Sequence, residues 1–255
     1  MAIEVFNRYE NKYMLDDKTC QALQARLSDY CELDAYNKRF ETYPICNIYY
    51  DTEDSCLIRT SLAKPSYKEK LRIRSYGVPD AGSNVYVEIK KKHRNLVNKR
   101  RSALPLRDAY SFLRSGVVAI TPDCANAQVL AEIQCILERH QLMPKAFISY
   151  ERKAYFGTDH HDLRISFDTE IRTRRTSLRL ESGIFGERLM PDGKWLMEIK
   201  TSQSIPVWLC RMLSEYKIYP VSFSKYGAEY KKFLIKEATS AEYQQVQAKV
   251  LAFAL

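Results

Sequence analysis

Carboxylate and lysine side chains alternate in several short stretches of this chain. The pattern Glu-x-Lys occurs at positions 10–12, 88–90 and 198–200, and a cation stands at every second position of 68–74. A β-strand sends residues i, i+2 and i+4 to the same face, so each stretch would carry its charges on one face and mostly apolar side chains on the other. Four such strands, with both signs interleaved, predict a closed sheet around a charged tunnel. Such a tunnel suits a polyanion and a divalent metal.

The stretch 66–76 has the strongest charge pattern. Its cations occupy the even positions 68 to 74, whereas Leu71 and Ile73 take the opposite face. Like charges in a row repel each other unless an anion or carboxylates neutralise them. We therefore expect that removing one of these cations relieves repulsion in the empty protein. Taken alone, this stretch is equally consistent with a sheet face that meets bulk water.

The stretches 84–92 and 193–201 favour the interior of a barrel. Their uncharged faces are apolar enough to pack against helices, so the charged faces must point to the other side of the sheet. Long charged side chains inside a barrel need mutual pairing or a bound ligand. The same alternation places Arg164 and Asp168 on one face, and Lys99 and Arg101 on one face of another strand, although a slip of one residue would exchange the faces.

Length and composition narrow the possible classes of protein. The chain has 255 residues and a net charge of +9, which allows one large or two small domains and favours an anionic partner. The seven cysteines include no C-x-x-C pair, so a reducing, cytoplasmic location is expected. The first 13 residues carry several charges and predict no signal peptide. No apolar run approaches the roughly 20 residues that span a bilayer.

Periodicity predicts strands and helices in both halves of the chain. The fold class predicted from them is α+β, an antiparallel β-barrel with helices packed outside. We expect a single domain over 1–255, with a core of about 8–237 and a C-terminal helix over 240–253. The predicted strands are 8–15, 44–51, 66–76, 84–92, 96–104, 145–156, 163–172 and 193–201. The predicted helices are 16–30, 52–63, one starting at 105, 126–141, 206–216, 225–237 and 242–253.

Other phosphate-binding and metal-binding signatures are absent from the sequence. There is no G-x-x-x-x-G-K-[ST] loop and no G-x-G-x-x-G, and the four histidines have no metal-ligand spacing. The 18 tyrosines do not form an RNA-recognition signature, so nucleic acid is not the expected partner.

Six short motifs stand in the order seen in a known family. They are RYENKY at 8–13, IYYDT at 48–52, KLRIR at 70–74, VEIK at 87–90, LMEIK at 196–200 and FSKY at 223–226. Together they resemble the polyphosphate polymerase domain of the vacuolar transporter chaperone (VTC), one of the triphosphate tunnel metalloenzymes, which include the CYTH proteins. The resemblance covers nearly the whole chain.

The resemblance implies an enzyme that transfers the γ-phosphoryl group of ATP onto a growing polyphosphate chain, with Mn²⁺ or Mg²⁺ as cofactor. It implies that basic side chains hold the phosphates and that a glutamate, matched by Glu198, holds the metal. The catalytic residues expected on this basis are Arg72, Arg74, Lys90, Arg152, Arg164 and Lys200. The expected substrate-binding residues are Arg8, Lys12, Lys70, Lys99, Arg101 and Lys225. The expected metal ligands are Glu198, Glu88 and Glu10.

One motif departs from the hydrolases of this superfamily. CYTH hydrolases resemble E-x-E-x-K on their first strand, whereas this chain has Arg8 in place of the first carboxylate. This favours the polymerase branch. Two alternatives stay open: a metal-dependent hydrolase of triphosphate or short polyphosphate, and a polyphosphate-binding module without catalysis. The primer, product length, nucleotide preference and oligomeric state do not follow from the sequence.

Overall fold

The computed structural model describes residues 5–94, 96–117, 126–202 and 204–252, and it describes side chains from residue 9 to residue 239 of these ranges. The strands are β1 (Val5–Asp16), β2 (Cys31–Leu33), β3 (Tyr43–Asp51), β4 (Tyr67–Tyr76), β5 (Asn84–His93), β6 (Leu96–Pro105), β7 (Met143–Gly157), β8 (Arg164–Arg174), β9 (Glu187–Arg188) and β10 (Lys194–Thr201). The helices are α1 (Asp17–Leu27), α2 (Cys56–Leu62), α3 (Leu106–Ser115), α4 (Ala127–Arg139), α5 (Val207–Glu215) and α6 (Lys225–Ala252).

Eight of these strands form a ring of antiparallel pairs. The pairs run from β3 through β4, β5, β6, β1, β10 and β8 to β7, and β7 pairs with β3 again. β1 pairs with β6 through Val5–Arg8 and with β10 through Tyr9–Asp16, so it joins its two neighbours in succession along its length. The short strands β2 and β9 add to β7 and β8 at the margins. The fold is therefore the predicted antiparallel sheet with helices outside.

Local sequence explains where the elements begin and turn. The Asp16 side chain accepts the backbone N–H of Thr19 at 2.8 Å and so caps α1. The hairpin between β4 and β5 turns at Gly77, whose φ of +83° belongs to the left-handed region that favours glycine. Helix α3 ends at Gly116, with φ of +72°, for the same reason.

The outer faces of the strands form the hydrophobic core with the helices. Leu71 and Ile73 of β4 are at most 1% exposed and belong to one cluster with Phe112 of α3 and Ile133 of α4. Similarly, the outer faces of β1, β8 and β10 pack in one cluster with α1 and α5. Because these apolar residues point outward to helices, the alternate residues of the same strands point into the ring. A third cluster, which includes Ile45, Ile148 and Leu196, is buried on the inner side of other parts of the sheet.

Several elements differ from those predicted. The expected terminal helix over 240–253 is part of α6, which runs without interruption from Lys225 to Ala252; residue 253 lies outside the described residues. Helix α2 begins at Cys56 instead of 52, because the buried carboxylate of Asp51 accepts the N–H groups of Leu57 and Ile58 and so caps the helix there. The strands β2 and β9 are too short to leave a periodic signal in the sequence.

Candidate active site

The ring of strands encloses a cavity of about 680 Å³. Among the described residues, fifteen Lys and Arg side chains line it, against three carboxylates, Glu10, Asp34 and Glu198. All the site residues predicted from the sequence line this cavity except Glu88, which lies behind its wall, and Arg8, whose side chain lies outside the described part of the chain. The imbalance of charge makes the cavity a site for an anion with several charges.

One wall is formed by β4, β5 and β6 and is organised around Glu88. This residue is only 1% exposed, and its carboxylate accepts Arg72 Nε at 2.8 Å and also pairs with Lys99. Arg74 Nε lies 3.8 Å away. Burial by itself would raise the pKa of Glu88, but these cations hold it well below its ordinary value. Glu88 is therefore ionised and fixes the side chains that face the cavity.

Asp168 has the same role on the wall formed by β7 and β8. It is fully buried and receives two hydrogen bonds from Arg152, at 2.6 Å from Nε and 2.8 Å from Nη2. The first residue of α6, Lys225, adds a third contact at 2.5 Å, and its Nζ also lies 3.2 Å from Glu198. Although burial opposes ionisation, Arg152 and Lys225 keep the pKa of Asp168 below its ordinary value.

Glu10 and Glu198 face each other across Lys12. The Lys12 ammonium lies 3.3 Å from Glu10 Oε1 and 3.4 Å from Glu198 Oε1. Lys90 binds the other oxygen of Glu10 at 2.8 Å, and Lys200 binds the other oxygen of Glu198 at 2.6 Å. These pairs arise from the antiparallel register of β1 and β10, in which Lys12 stands opposite Glu198 and Glu10 opposite Lys200.

The arrangement of carboxylates decides which glutamates fit a divalent ion. Mg²⁺ is commonly held by one or two carboxylates together with substrate phosphates and water. Glu10 and Glu198 fit this requirement, since both line the cavity and converge on one point. Glu88 does not line the cavity, since its carboxylate is buried behind the wall. Within the described ranges, no group of three or more His, Cys, Asp or Glu side chains is placed to hold a metal ion.

Lys70 is held in the cavity by a neutral partner. Its ammonium donates to Ser224 Oγ at 3.0 Å, and in the described part of the chain no carboxylate lies within salt-bridge distance of it. Burial, together with the nearby charges of Lys90 and Lys12, lowers the pKa of Lys70 to about 7. An incoming anion would therefore stabilise the charged form of Lys70.

The two ends of the cavity have different side chains. One end carries Tyr36, Tyr76, Phe156 and Arg164, which we call the aromatic mouth. The other carries Lys64, Lys68, Lys92 and Lys231, which we call the lysine mouth. The strand β4 runs from the lysine mouth at Lys68 to the aromatic mouth at Tyr76.

Several residues of the site were not predicted from the sequence. Asp168 lies on the same face of β8 as Arg164, so the alternation of polar and apolar residues along this strand could have indicated it as a site residue. Asp34 and Tyr36 lie in the segment between β2 and β3, where no periodicity marks them. Asp34 accepts Arg164 Nη2 at 3.1 Å, across 130 positions of sequence.

Solved structures with the same fold support this description of a tunnel. A candidate adenylate cyclase from Bacillus halodurans has a TM-score of 0.55 and 15% sequence identity, over 87% of this chain and 96% of that chain. A candidate adenylyl cyclase from Hippeastrum, described as having a dominant triphosphatase activity, has a TM-score of 0.52 and 15% identity, over 90% of this chain and 96% of that chain. This chain therefore belongs to the same class of fold as both proteins.

The family within this class follows from the sequence comparison. The VTC domain matches residues 7–234, and the chain belongs to the VTC domain family, as its six motifs predicted. No curated protein matches the sequence. Among the helices in the described ranges, none combines the length and the apolar character needed to cross a membrane.

Proposed function

We propose that this protein is a metal-dependent phosphotransferase that moves the γ-phosphoryl group of ATP onto a polyphosphate chain within the cavity. The observation that carries the proposal is the excess of cations around the cavity, fifteen against three carboxylates among the described residues. Membership of the VTC domain family supports it. A cytoplasmic location, predicted from the cysteine content, would give the enzyme direct access to ATP.

The arginines would hold the phosphates from two sides. Arg72 and Arg74 project from β4, and Arg152 projects from β7. A guanidinium group binds two phosphate oxygens at once, whereas a lysine acts as a point charge. Glu88 and Asp168 fix these arginines before any ligand arrives, so little reorganisation is needed when charge develops on the transferring group.

The remaining cations of the site would contribute charge and position. Phosphoryl transfer has a loose transition state, with negative charge spread over the equatorial oxygens of the transferring group. The residues proposed to stabilise that charge, besides the arginines above, are Lys12, Lys70, Lys90, Lys99, Arg101, Arg164, Lys200 and Lys225. The acceptor is a phosphate that is already ionised near neutral pH, so the reaction needs no general base.

Glu10 and Glu198 are the proposed metal ligands. The two carboxylates would hold Mn²⁺ or Mg²⁺, which would supply positive charge to offset that of the phosphates. To receive the ion, the two carboxylates would exchange their contacts with Lys12, which could then bind a phosphate. Glu88 is proposed to position Arg72 and Lys99 instead of binding metal.

Hydrolysis of a triphosphate is the second candidate function. The Hippeastrum neighbour is described as having a dominant triphosphatase activity, and water in place of phosphate as the acceptor would give that reaction on the same fold. The test is one incubation with ATP and Mn²⁺, with separate assays for ADP, long-chain polyphosphate and free phosphate. We expect polyphosphate and ADP to appear together. Free phosphate without polyphosphate would establish hydrolysis of ATP. If no ADP appears, the same assay with inorganic tripolyphosphate would separate a hydrolase of that substrate from a binding module.

The metal ligands have a matched test. Glu198→Gln keeps the shape of the side chain and removes its charge, so we expect turnover to fall by at least about a hundredfold while tripolyphosphate still binds the arginines. The control is Glu151→Gln, because Glu151 lies on a barrel strand, bonds to Thr42 and does not line the cavity. Full activity of Glu198→Gln at saturating Mn²⁺ would exclude Glu198 as a ligand.

A further inference from the structure

Helix α6 continues well beyond the part of it that packs against the ring of strands. Its first turns are buried through Tyr226 and Tyr230, and Phe233 packs against the same cluster. All residues at positions 234–239 are exposed, and the helix runs on to Ala252. Positions 234–252, which we call the distal part of α6, span roughly 28 Å. Helices in proteins take most of their stability from packing of an apolar face, so the distal part needs a packing partner of its own.

The sequence of the distal part has an apolar stripe at heptad spacing. Thr239, Tyr243, Val246 and Val250 follow one another at intervals of four, three and four residues. This is the spacing of the a and d positions of a coiled coil. With about 3.6 residues per turn, the four positions share an arc of about 60° on the helix. A stripe this narrow is typical of a seam between two helices, whereas a helix on a globular core has a wider apolar face.

The stripe lies on a different side of α6 from the residues that dock the helix. Because α6 is one uninterrupted helix from Lys225, the angle between the two sides follows from the helical period. The centre of the stripe is rotated by about 130° from the side that carries Tyr226, Tyr230 and Phe233. The ring of the same chain contacts the docked side, so the partner that covers the stripe must be another molecule.

The charges that flank the stripe fit a second copy of this chain in antiparallel orientation. With the stripe at a and d, Glu242 and Lys249 both occupy g positions, and Ser240 and Gln247 occupy e positions. In an antiparallel pair, g positions of one helix face g positions of the other. Glu242 would then face Lys249 of the partner subunit, and the two-fold symmetry gives this opposite-charge pair twice. In a parallel pair, g faces e, and Glu242 would face an uncharged glutamine.

The same antiparallel register also aligns the apolar positions. It sets position 239 opposite position 250 and position 243 opposite position 246, so all four stripe positions meet stripe positions of the second copy. In this register the two Phe233 residues are about 35 Å apart along the common axis. The two rings of strands would therefore lie at opposite ends of the paired helices and leave room for each other.

We propose that the distal part of α6 is a dimerisation surface, which pairs antiparallel with the same segment of a second copy through positions 239, 243, 246 and 250. This proposal does not depend on the reaction in the cavity. Because the seam is short, the interface is small, and we expect a Kd in the micromolar range.

Sedimentation velocity of the full chain, over two decades of concentration around the micromolar range, measures this association. We expect a monomer–dimer equilibrium for the wild type and only monomer for Val246→Glu, which places a charge at the centre of the seam. The matched control is Gln244→Glu, which adds the same charge on a different side of the helix and should leave the Kd within about twofold. Both variants should keep the Tm of the wild type, since α6 docks through residues before position 234.

A charge exchange tests the orientation of the two helices. Glu242→Lys and Lys249→Glu should each weaken the dimer by about 4- to 30-fold, because each change turns two attractive pairs into repulsive ones. The double variant that carries both changes should restore the wild-type Kd. Single variants with an unchanged Kd, or a loss that the double variant does not restore, would refute the antiparallel pairing.

Two further outcomes would overturn the dimerisation surface itself. The first is an equal loss of association in Val246→Glu and Gln244→Glu, which would mean that the stripe is not the seam. The second is a wild-type protein that stays monomeric at every concentration. Flotation of that monomer with vesicles of phosphatidylglycerol would then assign the stripe to a lipid surface instead.

Discussion

Replacing Asp168 by asparagine removes one negative charge from the cavity wall while keeping the size of the side chain. Asp168 is fully buried, and the charged groups of Arg152 and Lys225 both contact it. Removal of one partner from a buried ion pair leaves uncompensated charge and costs about 3–5 kcal/mol. With an unfolding entropy of about 2.1 cal/mol/K per residue, this corresponds to a drop in Tm of about 6–9 °C for a chain of this size.

The same substitution should change the response to an anion. In Asp168→Asn the cations of this wall lack their carboxylate, so bound tripolyphosphate would neutralise charge that the protein no longer neutralises itself. We therefore expect tripolyphosphate to raise the Tm of the variant by more than it raises the Tm of the wild type. Thermal melts with and without ligand measure both effects. Asp162→Asn is the control, because Asp162 accepts hydrogen bonds from Thr201 and Ser202 and has no cation as partner.

Two outcomes would refute this account. A fall in Tm of less than about 2 °C would mean that Asp168 is not the counter-charge on which Arg152 and Lys225 depend. An equal ligand-induced rise in Tm in both proteins would mean that the anion does not reach the same cations.

Three further predictions concern other parts of the molecule. Leu71→Ala should destabilise the protein by about 2–5 kcal/mol in denaturant melts, because Leu71 packs outside the ring. Activity per folded molecule should be retained. Normal stability would mean that Leu71 faces the cavity and the cations of β4 face outward. Since the pKa of Lys70 is about 7, tripolyphosphate affinity should fall as pH rises through neutrality, and Lys70→Arg, which keeps its charge, should flatten this part of the profile in calorimetry. Asp51→Ala should lower the free energy of unfolding by at least about 2 kcal/mol in the same melts, because it removes the cap of α2 and the acceptor for the hydroxyl of Tyr226. A Tm within a degree of the wild type would contradict this prediction.

The charged face of each strand could be predicted from sequence because the period of a strand is two. For β4, the even positions 68 to 74 line the cavity and the odd positions 71 and 73 are buried against helices, as predicted. On β6, Lys99 and Arg101 also line the cavity, whereas Arg100 bonds to Glu132 on α4. This prediction needs only the local sequence, since the residue types show which face of the strand is apolar.

The ion pairs between side chains inside the cavity could not be predicted in the same way. The sequence suggested that the cations of β4 repel each other and that removing one would relieve this repulsion in the protein without ligand. In the structure Arg72 donates to buried Glu88, so its removal would leave that carboxylate with fewer partners. Contacts such as Asp168 with Lys225, 57 positions apart, depend on how the ring closes, and no local pattern encodes that. The roles assigned to the individual site residues stay predictions until the variants are measured.

The alternation along the strands separates two kinds of evolutionary constraint. Residues that face the cavity are constrained by charge, whereas their immediate neighbours in sequence are constrained by volume and packing. A substitution on one face leaves the packing contacts of the other face in place, so interior side chains without a buried ion-pair partner can change while the packing of the shell is kept. Structures with only 15% identity to this chain that share its fold are consistent with such a division. Redesign of the cavity for another polyanion could therefore begin from the interior positions alone.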